Sequence, residues 1–259
     1  MSAGPNLKSF DLTGRVALVT GAGIGIGRAA AVALATAGAT VGIHYRSSEA
    51  EARQALAEIT ALGARGFILQ GDLTQEDQAN RVVDQLVEQA GRLDILVNNA
   101  GDPLRRSSLE ECPTELWRAA FDVNVTAAFF VTRRSIPHLK RSGHGSIINN
   151  LSLSVQTGGA GGAGPYAAAK GALQVMTRTL ARELAPTVRA NAIMPGVVET
   201  RHHEVFSTPE RMADYRKQTP LGRNSSATEV AQAILFLAGD AASFITGAVI
   251  DINGGRFLR

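Results

Sequence analysis

Short apolar segments alternate with helical patterns along the whole chain, and this alternation limits the possible fold more than any other feature. The apolar segments are often β-branched, whereas residues such as those in 82–90 repeat on one face of a helix. Near-continuous apolar strands separated by helices are typical of a parallel sheet covered on both faces. The sequence therefore predicts an α/β fold, a doubly wound parallel sheet of about seven strands, in one domain spanning residues 1–259. The predicted strands are RVALVT (15–20), TVGIHY (40–45), RGFILQ (65–70), DILVNN (94–99), GSIINN (145–150), VRANAIM (188–194) and GAVIDI (247–252).

Composition excludes several other classes of protein. With 259 residues, 45% apolar and 19% charged, the chain can bury a full core. Its net charge of +3 comes without a dense Lys/Arg run and with only one Trp and three Tyr, which argues against a nucleic-acid partner. The sequence shows neither a signal peptide nor a membrane-spanning segment, so we expect a soluble protein. The single cysteine, Cys112, excludes an internal disulfide and favours the reducing cytoplasm.

The first predicted strand runs directly into TGAGIGIG (20–27), which is followed by an alanine-rich helix. Glycine allows a sharp turn and close approach of a ligand, while the helix N-terminus offers free N–H groups to a phosphate. The G-x-G-x-x-G pattern of dinucleotide sites does not fit, because Ile26 stands where its last glycine would be. An ordinary tight turn is the alternative interpretation. The strand before and the helix after it favour phosphate binding.

The stretch YAAAK places a phenol and an ammonium on one helical face, since Tyr166 and Lys170 are four residues apart. An ammonium near a phenol lowers the phenol's pKa towards neutral pH, which would make it a general acid or base. For an isolated motif, a half-buried tyrosine beside a snorkelling lysine is the simpler interpretation. A serine-bearing strand end upstream, in a dinucleotide-binding chain, favours the catalytic one.

Together these motifs resemble the short-chain dehydrogenase/reductase family. Thr20, Gly21, Gly25 and Gly27 match its T-G-x-x-x-G-x-G pattern, and further motifs follow in the family's order between about residues 10 and 255. These are NNAG (98–101), Asn124, Ser152, YAAAK and PGVVET (195–200). Similar members include 3-oxoacyl-[acyl-carrier-protein] reductases and sugar or polyol dehydrogenases. The resemblance implies a Rossmann-type fold, an oxidoreductase acting on carbonyl or secondary alcohol groups, and a homotetramer.

The resemblance also implies roles for four residues. Tyr166 would exchange a proton with the substrate oxygen, and Ser152 would hydrogen-bond the same oxygen. Lys170 would lower the pKa of Tyr166 and bind the nicotinamide ribose, and Asn124 would hold a water that connects Lys170 to solvent. In LSLS, Ser154 is a minor alternative to Ser152. The hydride chemistry would belong to the cofactor.

Cofactor choice should be decided at the end of the second strand, where an acidic residue favours NAD(H) and a basic one accepts the 2′-phosphate of NADP(H). The acidic position corresponds to Tyr45, followed by Arg46 and Ser47, so we expect NADP(H), with NAD(H) as the alternative. Ile24 stands where many NADP-dependent relatives carry a second basic residue. The resemblance places the remaining cofactor contacts at Ile26, Asp72, Leu73, Asn98, Ala100, Gly101, Pro195, Val198 and Thr200.

The segment at about 200–223 is expected to cover the substrate. It carries His202, His203 and several basic residues, and with Arg105 and Arg106 these could form a basic rim that attracts an anionic substrate or an acidic carrier protein. Solvated charge is the simpler interpretation. The five histidines show no i, i+4 zinc-ligand pair, so no metal site is predicted. Two other functions remain open: a dinucleotide-binding redox sensor without turnover, and an enoyl reductase, which the i, i+4 spacing of Tyr166 and Lys170 disfavours.

Overall fold

The computed structural model describes residues 7–159, 161–200 and 208–258, and within these ranges seven parallel strands form one sheet. The strands lie in the order β3-β2-β1-β4-β5-β6-β9. They are β1 (Val16–Val19), β2 (Thr40–Tyr45), β3 (Gly66–Gln70), β4 (Ile95–Asn98), β5 (Gly145–Asn150), β6 (Val188–Pro195) and β9 (Val249–Ile252). The predicted doubly wound α/β fold is therefore confirmed.

Helices cover both faces of this sheet. They are α1 (Gly25–Thr36), α2 (Glu49–Ala61), α3 (Glu76–Ala90), α4 (Thr114–Phe121), α5 (Ala127–Ser142), α6 (Ser154–Thr157), α7 (Gly164–Glu183), α8 (Pro209–Lys217) and α9 (Ala227–Ala238). Short 3₁₀ turns lie at Leu7–Phe10 and Asp240–Ala242, and a π-helical turn at Asp122–Thr126 joins α4 to α5.

Alternation along the strands divides the core into two layers. Ala17 and Val19 of β1 pack with buried residues of α1, α2 and α9, whereas Leu18 packs with buried residues of α3, α5 and α7. All three side chains are fully buried. Both faces of each central strand are thus apolar, as expected for a parallel sheet between two helical layers. The polar groups that end the strands are left at the carboxyl edge, where a ligand of such a fold binds.

Two residues on either side of the covering segment form a second, very small sheet that the sequence did not predict. β7 (Val198–Glu199) pairs in parallel with β8 (Ser225–Ser226). Ser226 then begins α9 with a capping box, because its side chain accepts from the Glu229 main chain while the Glu229 side chain accepts from the Ser226 main chain. Both ends of the segment are therefore fixed to the body of the fold.

Candidate active site

A cavity of about 720 Å³ opens at the carboxyl edge of the sheet. The loops after β1, β2, β3, β4, β5 and β6 all contribute to its wall, together with α8 and the C-terminal segment. A groove of about 850 Å³ also lies beside α1, but its charged side chains Arg28 and Glu58 already pair with each other at 3.0 Å. The carboxyl-edge cavity is therefore the candidate site.

The glycine turn presents the start of α1 to this cavity. Gly21 and Gly25 have φ angles of +63° and +55°, which side-chain-bearing residues rarely adopt. At Gly27, a Cβ atom would lie 2.2 Å from the carbonyl oxygen of Gly21, so only glycine fits. No side chain caps the helix, and Gly25, Ile26 and Gly27 line the cavity. The first N–H groups of α1 are thus available to an anionic ligand.

Thr20 and the asparagines after β4 hold this turn in place. The Thr20 hydroxyl accepts hydrogen bonds from the main-chain nitrogens of Asn99 and Ala100, both at 2.9 Å. The Asn99 side chain donates to the carbonyl oxygens of Thr20 and Gly21. Thr20 itself is buried and does not line the cavity, whereas Asn99, Ala100 and Gly101 do. Thr20 therefore positions the loops without facing the ligand.

Asn98, expected beside the adenosine, points away from the cavity. Its side chain is buried and donates to Thr132 Oγ1 and Asn149 Oδ1, both at 2.8 Å. The expectation was wrong for this side chain because successive residues at a strand end face opposite sides of the sheet. Asn99, its neighbour, is the residue of the pair that lines the cavity.

His44, which no sequence motif marks, connects strand β2 to the loops after β1 and β3. Its Nδ1 accepts a hydrogen bond from the Gly21 main chain at 3.1 Å, and its Nε2 donates to the carbonyl oxygen of Gly71 at 3.0 Å. Burial lowers the pKa of His44 to about 4, against the opposing effects of the Gly71 hydrogen bond and the Asp72 charge. The side chain is therefore neutral at physiological pH, as the bond from Gly21 requires. A histidine within an apolar strand gives no sequence signal for this role.

The residues predicted to contact the adenosine end of the cofactor line the cavity at the ends of β2 and β3. Tyr45, Arg46, Ser47, Asp72 and Leu73 all line it, with Tyr45 and Leu73 largely buried and Arg46 exposed. Burial would raise the pKa of Asp72, but hydrogen bonds from Thr74, together with the nearby Arg46 charge, hold that pKa below its usual value. The Asp72 carboxylate and the Arg46 guanidinium thus line the same part of the cavity.

Ser152 and Tyr166 both line the cavity, and the Ser152 hydroxyl is close enough to the phenol to act on its pKa. The Ser152 hydroxyl also contacts Ser154 Oγ at 3.2 Å and accepts a hydrogen bond from the Ser154 main chain at 3.1 Å. Ser154 starts α6 and lines the same wall, but Ser152 is the serine that acts on the phenol pKa. Of the two serines, Ser152 is the one paired with Tyr166.

The expected lowering of the pKa of Tyr166 is not found. Burial raises the pKa of Tyr166 to about 12; the hydrogen bond from Ser152 opposes this rise, and the Asp102 carboxylate adds to it. Lys170 does not contribute, because its Nζ lies 5.8 Å from the centre of the phenol ring and donates to the carbonyl oxygen of Asn150 at 2.7 Å. Burial also lowers the pKa of Lys170 to about 8. Burial thus destabilises the charged form of each group, although a pKa of about 8 leaves Lys170 mostly protonated near neutral pH.

Asn124 lies in the π-helical turn and ties the loop after β4 to α4. Its Nδ2 donates to the carbonyl oxygens of Asp102 and Ala120, and its Oδ1 accepts from the Asp102 main chain. The side chain is fully buried and does not line the cavity. Since these bonds occupy both N–H groups of the Asn124 amide, any water that Asn124 holds would have to bind its Oδ1 or its main chain. Interruptions of this kind in a helix are frequent at functional sites.

Pro195, Val198 and Thr200 line the wall that follows β6, as the resemblance implied. His202 and His203 lie outside the described residues. The described remainder of the covering segment contributes Arg211, Tyr215 and Gln218, and the C-terminal segment contributes Arg256. Arg256 was missed because nothing in the sequence separates it from an ordinary terminal charge.

The described part of the chain carries neither a cluster of metal ligands nor a membrane-spanning helix. Within residues 7–159, 161–200 and 208–258, no three His, Cys, Asp or Glu side chains come together as metal ligands would. Among the helices of the same ranges, none combines the length and apolarity needed to cross a bilayer.

Known proteins resemble this chain over nearly its full length. A family model described as enoyl-(acyl carrier protein) reductase matches residues 21–256. An uncharacterized oxidoreductase of Methylorubrum extorquens is 41% identical, over 94% of this chain and 98% of the relative. The 3-oxoacyl-[acyl-carrier-protein] reductase of Thermotoga maritima is 39% identical, over 95% and 99%. The solved structure of 7 alpha-hydroxysteroid dehydrogenase complexed with NADH and 7-oxo glycochenodeoxycholic acid superposes with a TM-score of 0.92 at 31% identity, covering 97% of both chains.

Proposed function

Because this chain belongs to the short-chain dehydrogenase/reductase family, we propose that it transfers a hydride between NADP(H) and a carbonyl or secondary alcohol group of a small molecule. The observation that carries this proposal is the placement of Ser152 beside Tyr166 inside the cavity onto which the uncapped start of α1 opens. That arrangement offers a proton donor and an anion site in one enclosed space.

Tyr166 is the proposed general acid for carbonyl reduction. With a pKa of about 12, its phenol is fully protonated near neutral pH and can give its proton to the oxygen of a bound ketone. Ser152 would donate to the same oxygen and stabilise the charge that develops there. Lys170, with a pKa of about 8, holds a proton that is more acidic than the phenol's and can replace it. The raised pKa of Tyr166 keeps the phenol protonated, as its role as an acid in carbonyl reduction requires.

The cavity fits a nicotinamide dinucleotide. The available N–H groups of α1 suit its pyrophosphate, and the buried Asn150 Oδ1, which has no partner among the described residues, can accept a hydrogen bond from a ligand. Asp72 and Leu73 would contact the adenine end, and Pro195, Val198 and Thr200 the nicotinamide end. When bound, the cofactor would supply or accept the hydride.

The preference for NADP(H) rests on Arg46. Its guanidinium is exposed in the cavity after β2, beside the hydroxyls of Ser47 and Ser48, and no side chain caps the following helix α2. A 2′-phosphate would find a charge partner and hydrogen-bond donors there. NAD(H) is the alternative, since the hydroxysteroid dehydrogenase structure was solved with NADH.

The test is oxidation of reduced cofactor in the presence of ketones, 3-oxoacyl thioesters and enoyl thioesters, with the Tyr166→Phe variant run in parallel. We expect carbonyl reduction by the natural chain and a loss of about 10²–10⁴-fold in kcat for the variant, with cofactor binding retained. Cofactor binding with no turnover on any substrate would instead indicate a redox sensor. Reduction of enoyl substrates alone would indicate an enoyl reductase.

Three further assignments belong to this proposal. The substrate options are 3-oxoacyl thioesters and sugars or polyols. A cytoplasmic location is consistent with the single free thiol, Cys112. A homotetramer would cover apolar side chains exposed on the helices after Pro113 and Pro165, such as Trp117, Phe129 and Val175.

A further inference from the structure

Two arginines in the cavity gather around one aromatic ring. The Cζ atoms of Arg211 and Arg256 lie 5.5 Å and 4.5 Å from the centre of the Tyr215 ring. Arg211 Nε donates to the Tyr215 hydroxyl at 2.5 Å, and Arg256 Nη2 donates to Gln218 Oε1 at 2.7 Å. The guanidinium groups are thus held in place by neutral partners, with other N–H groups remaining on each of them.

Neither arginine is neutralised by a carboxylate within the described ranges. Arg216 and Arg223 nearby do have such partners, Glu199 at 3.7 Å and Glu229 at 2.5 Å. Arg211 and Arg256 are instead half-buried, and the pKa of Arg256 is lowered by burial and by the charge of Arg211, against the opposing effect of Tyr215. Two like charges close together without a counter-ion are unfavourable. An anion between them would relieve that repulsion.

The loop after β5 packs closely against Arg211. Gly161 has a φ angle of +70°, and a Cβ atom there would lie 3.1 Å from Arg211 Nη2 and 3.3 Å from Arg106 Nη1. The same loop follows Ser152 and leads into α7, which carries Tyr166. Arg211 therefore packs against the loop that connects the two reacting residues.

The pair is also separate from the proposed 2′-phosphate position. Arg46 follows β2 and Arg256 follows β9, and these strands are five positions apart in the sheet. At about 4.8 Å per strand, they are separated by roughly 24 Å. Ser152 follows β5, which lies between them. The arginines are thus on the substrate side of the reacting groups, where the cofactor phosphate would not reach.

We propose that Arg211 and Arg256 bind an anionic group of the substrate, a carboxylate or a phosphate, while Tyr166 and Ser152 hold its carbonyl oxygen. This inference rests on the proposed reductase function and defines its substrate class as oxo acids or oxo phosphate esters. Arginine suits both anions because its planar N–H groups match their oxygen pairs.

Asp102 would orient such a substrate. Its carboxylate lines the cavity and is close enough to raise the pKa of Tyr166. An anionic group would be repelled from that end and attracted to the arginine pair. The substrate would therefore enter in one direction, with its neutral carbonyl beside Tyr166.

The experiment compares matched ketones with the natural chain and three variants. The carboxylate arm uses 6-oxoheptanoate against its neutral amide, and the phosphate arm uses dihydroxyacetone phosphate against dihydroxyacetone. The variants are Arg211→Gln and Arg256→Gln, with Arg216→Gln as the control, since Arg216 is exposed on the same helix as Arg211. An Arg256→Lys variant tests rescue by charge alone.

We expect each cavity variant to lower kcat/KM for the anionic ketone by at least about tenfold, mainly through KM, and to leave the neutral ketone within about twofold. Arg216→Gln should change neither. The arm with the larger loss identifies the anion. Equal losses on both members of each pair, or none, would overturn the inference.

A second measurement keeps this inference distinct from the proposed function. Calorimetric titration with adipate and with inorganic phosphate, in the presence of reduced cofactor, needs no turnover. Binding of either anion that is lost in Arg256→Gln and kept in Arg216→Gln supports the anion site, even if no ketone is reduced. Absence of anion binding in an enzyme that does reduce neutral ketones rejects the site alone.

Discussion

The imidazole of His44 accepts a hydrogen bond from the main-chain nitrogen of Gly21 at 3.1 Å, which fixes the glycine turn to the neighbouring strand. A protonated imidazole could not accept this bond. The folded-state pKa of about 4 lies below the ordinary 6.5, so the unfolded chain takes up the proton first as pH falls. The contribution of neutral His44 to the free energy of unfolding is constant above pH 6.5 and is lost between pH 6.5 and about 4.

We therefore expect His44→Gln to flatten the pH dependence of stability between pH 6.5 and 4, where the natural chain should lose roughly 3 kcal/mol through this residue. Urea unfolding at pH 7.5, 5.5 and 4.5 measures it. His144→Gln, at an exposed position, is the control and should leave the slope unchanged. Parallel slopes for His44→Gln and the natural chain would contradict the assignment.

Removing the charge of Asp102 should lower the pKa of Tyr166, since that carboxylate helps to raise it. In Asp102→Asn, the side-chain oxygen can still accept the bond from the Leu104 main chain, so the loop is retained. The pH at which alcohol oxidation becomes fast should therefore move to lower values. The pH profile of kcat/KM for oxidation measures this shift, and Asp122→Asn, at an exposed position, should cause none.

Gly101 is required for space. A Cβ atom there would lie 2.6 Å from Asn124 Oδ1 and 2.9 Å from Lys170 Nζ, so Gly101→Ala must displace one of them. We expect a loss of about 1–3 kcal/mol in unfolding free energy, together with reduced turnover.

Gly171→Ala is the matched control for Gly101→Ala. It places the same methyl group beside Lys170, on α7, where only Val155 comes near, at 3.9 Å. It should be neutral or stabilising by up to about 1 kcal/mol. Equal stability of both variants would mean that the space around Gly101 adapts.

Arg46→Asp should reverse the cofactor preference. Titration by reduced-nicotinamide fluorescence should show NADPH binding weakened by about 10- to 100-fold and NADH binding unchanged or improved. Arg53→Asp alters an exposed arginine on α2 and should change neither. If the natural chain bound NADH as tightly as NADPH, the proposal would be rejected and NAD-linked oxidation of alcohols and sugars would be screened instead.

The proposed tetramer predicts a mass in light scattering of four times 27.2 kDa. Val175→Glu places a charge on the α7 surface, where the natural side chain is 61% exposed, and should reduce this mass to that of a smaller assembly. Leu62→Glu, at the end of α2, should have no effect. The mass of a single subunit for the natural chain would reject the tetramer.

The strands and both helical layers could be predicted because parallel strands buried on both faces leave continuous apolar runs, as in VALV at residues 16–19. The β7–β8 pair could not, since Ser225 and Ser226 are polar and the pair is only two residues long. Sequence spacing also failed to distinguish Asn98 from Asn99, because partners on β5 and α5 decide which one faces the core.

The chemistry was predicted less well than the positions. Spacing placed Tyr166 and Lys170 on one face of α7, but the effect of burial on their pKa values depends on the walls of the cavity. The position of Arg256 also depends on the folded structure, because it reaches Arg211 only where β9 ends at the same edge of the sheet as β6. Long-range packing of this kind leaves no local pattern.

The β7–β8 pair joins the two chain segments that flank residues 200–224. Pairing of Val198 with Ser225 and of Glu199 with Ser226 fixes both ends next to each other. The entropy of closing such a loop grows only slowly with its length. Residues 200–224 can therefore be replaced by a segment of another length or sequence at little cost to the stability of the sheet. Replacement of that segment could then change the range of substrates while Ser152 and Tyr166 keep their positions.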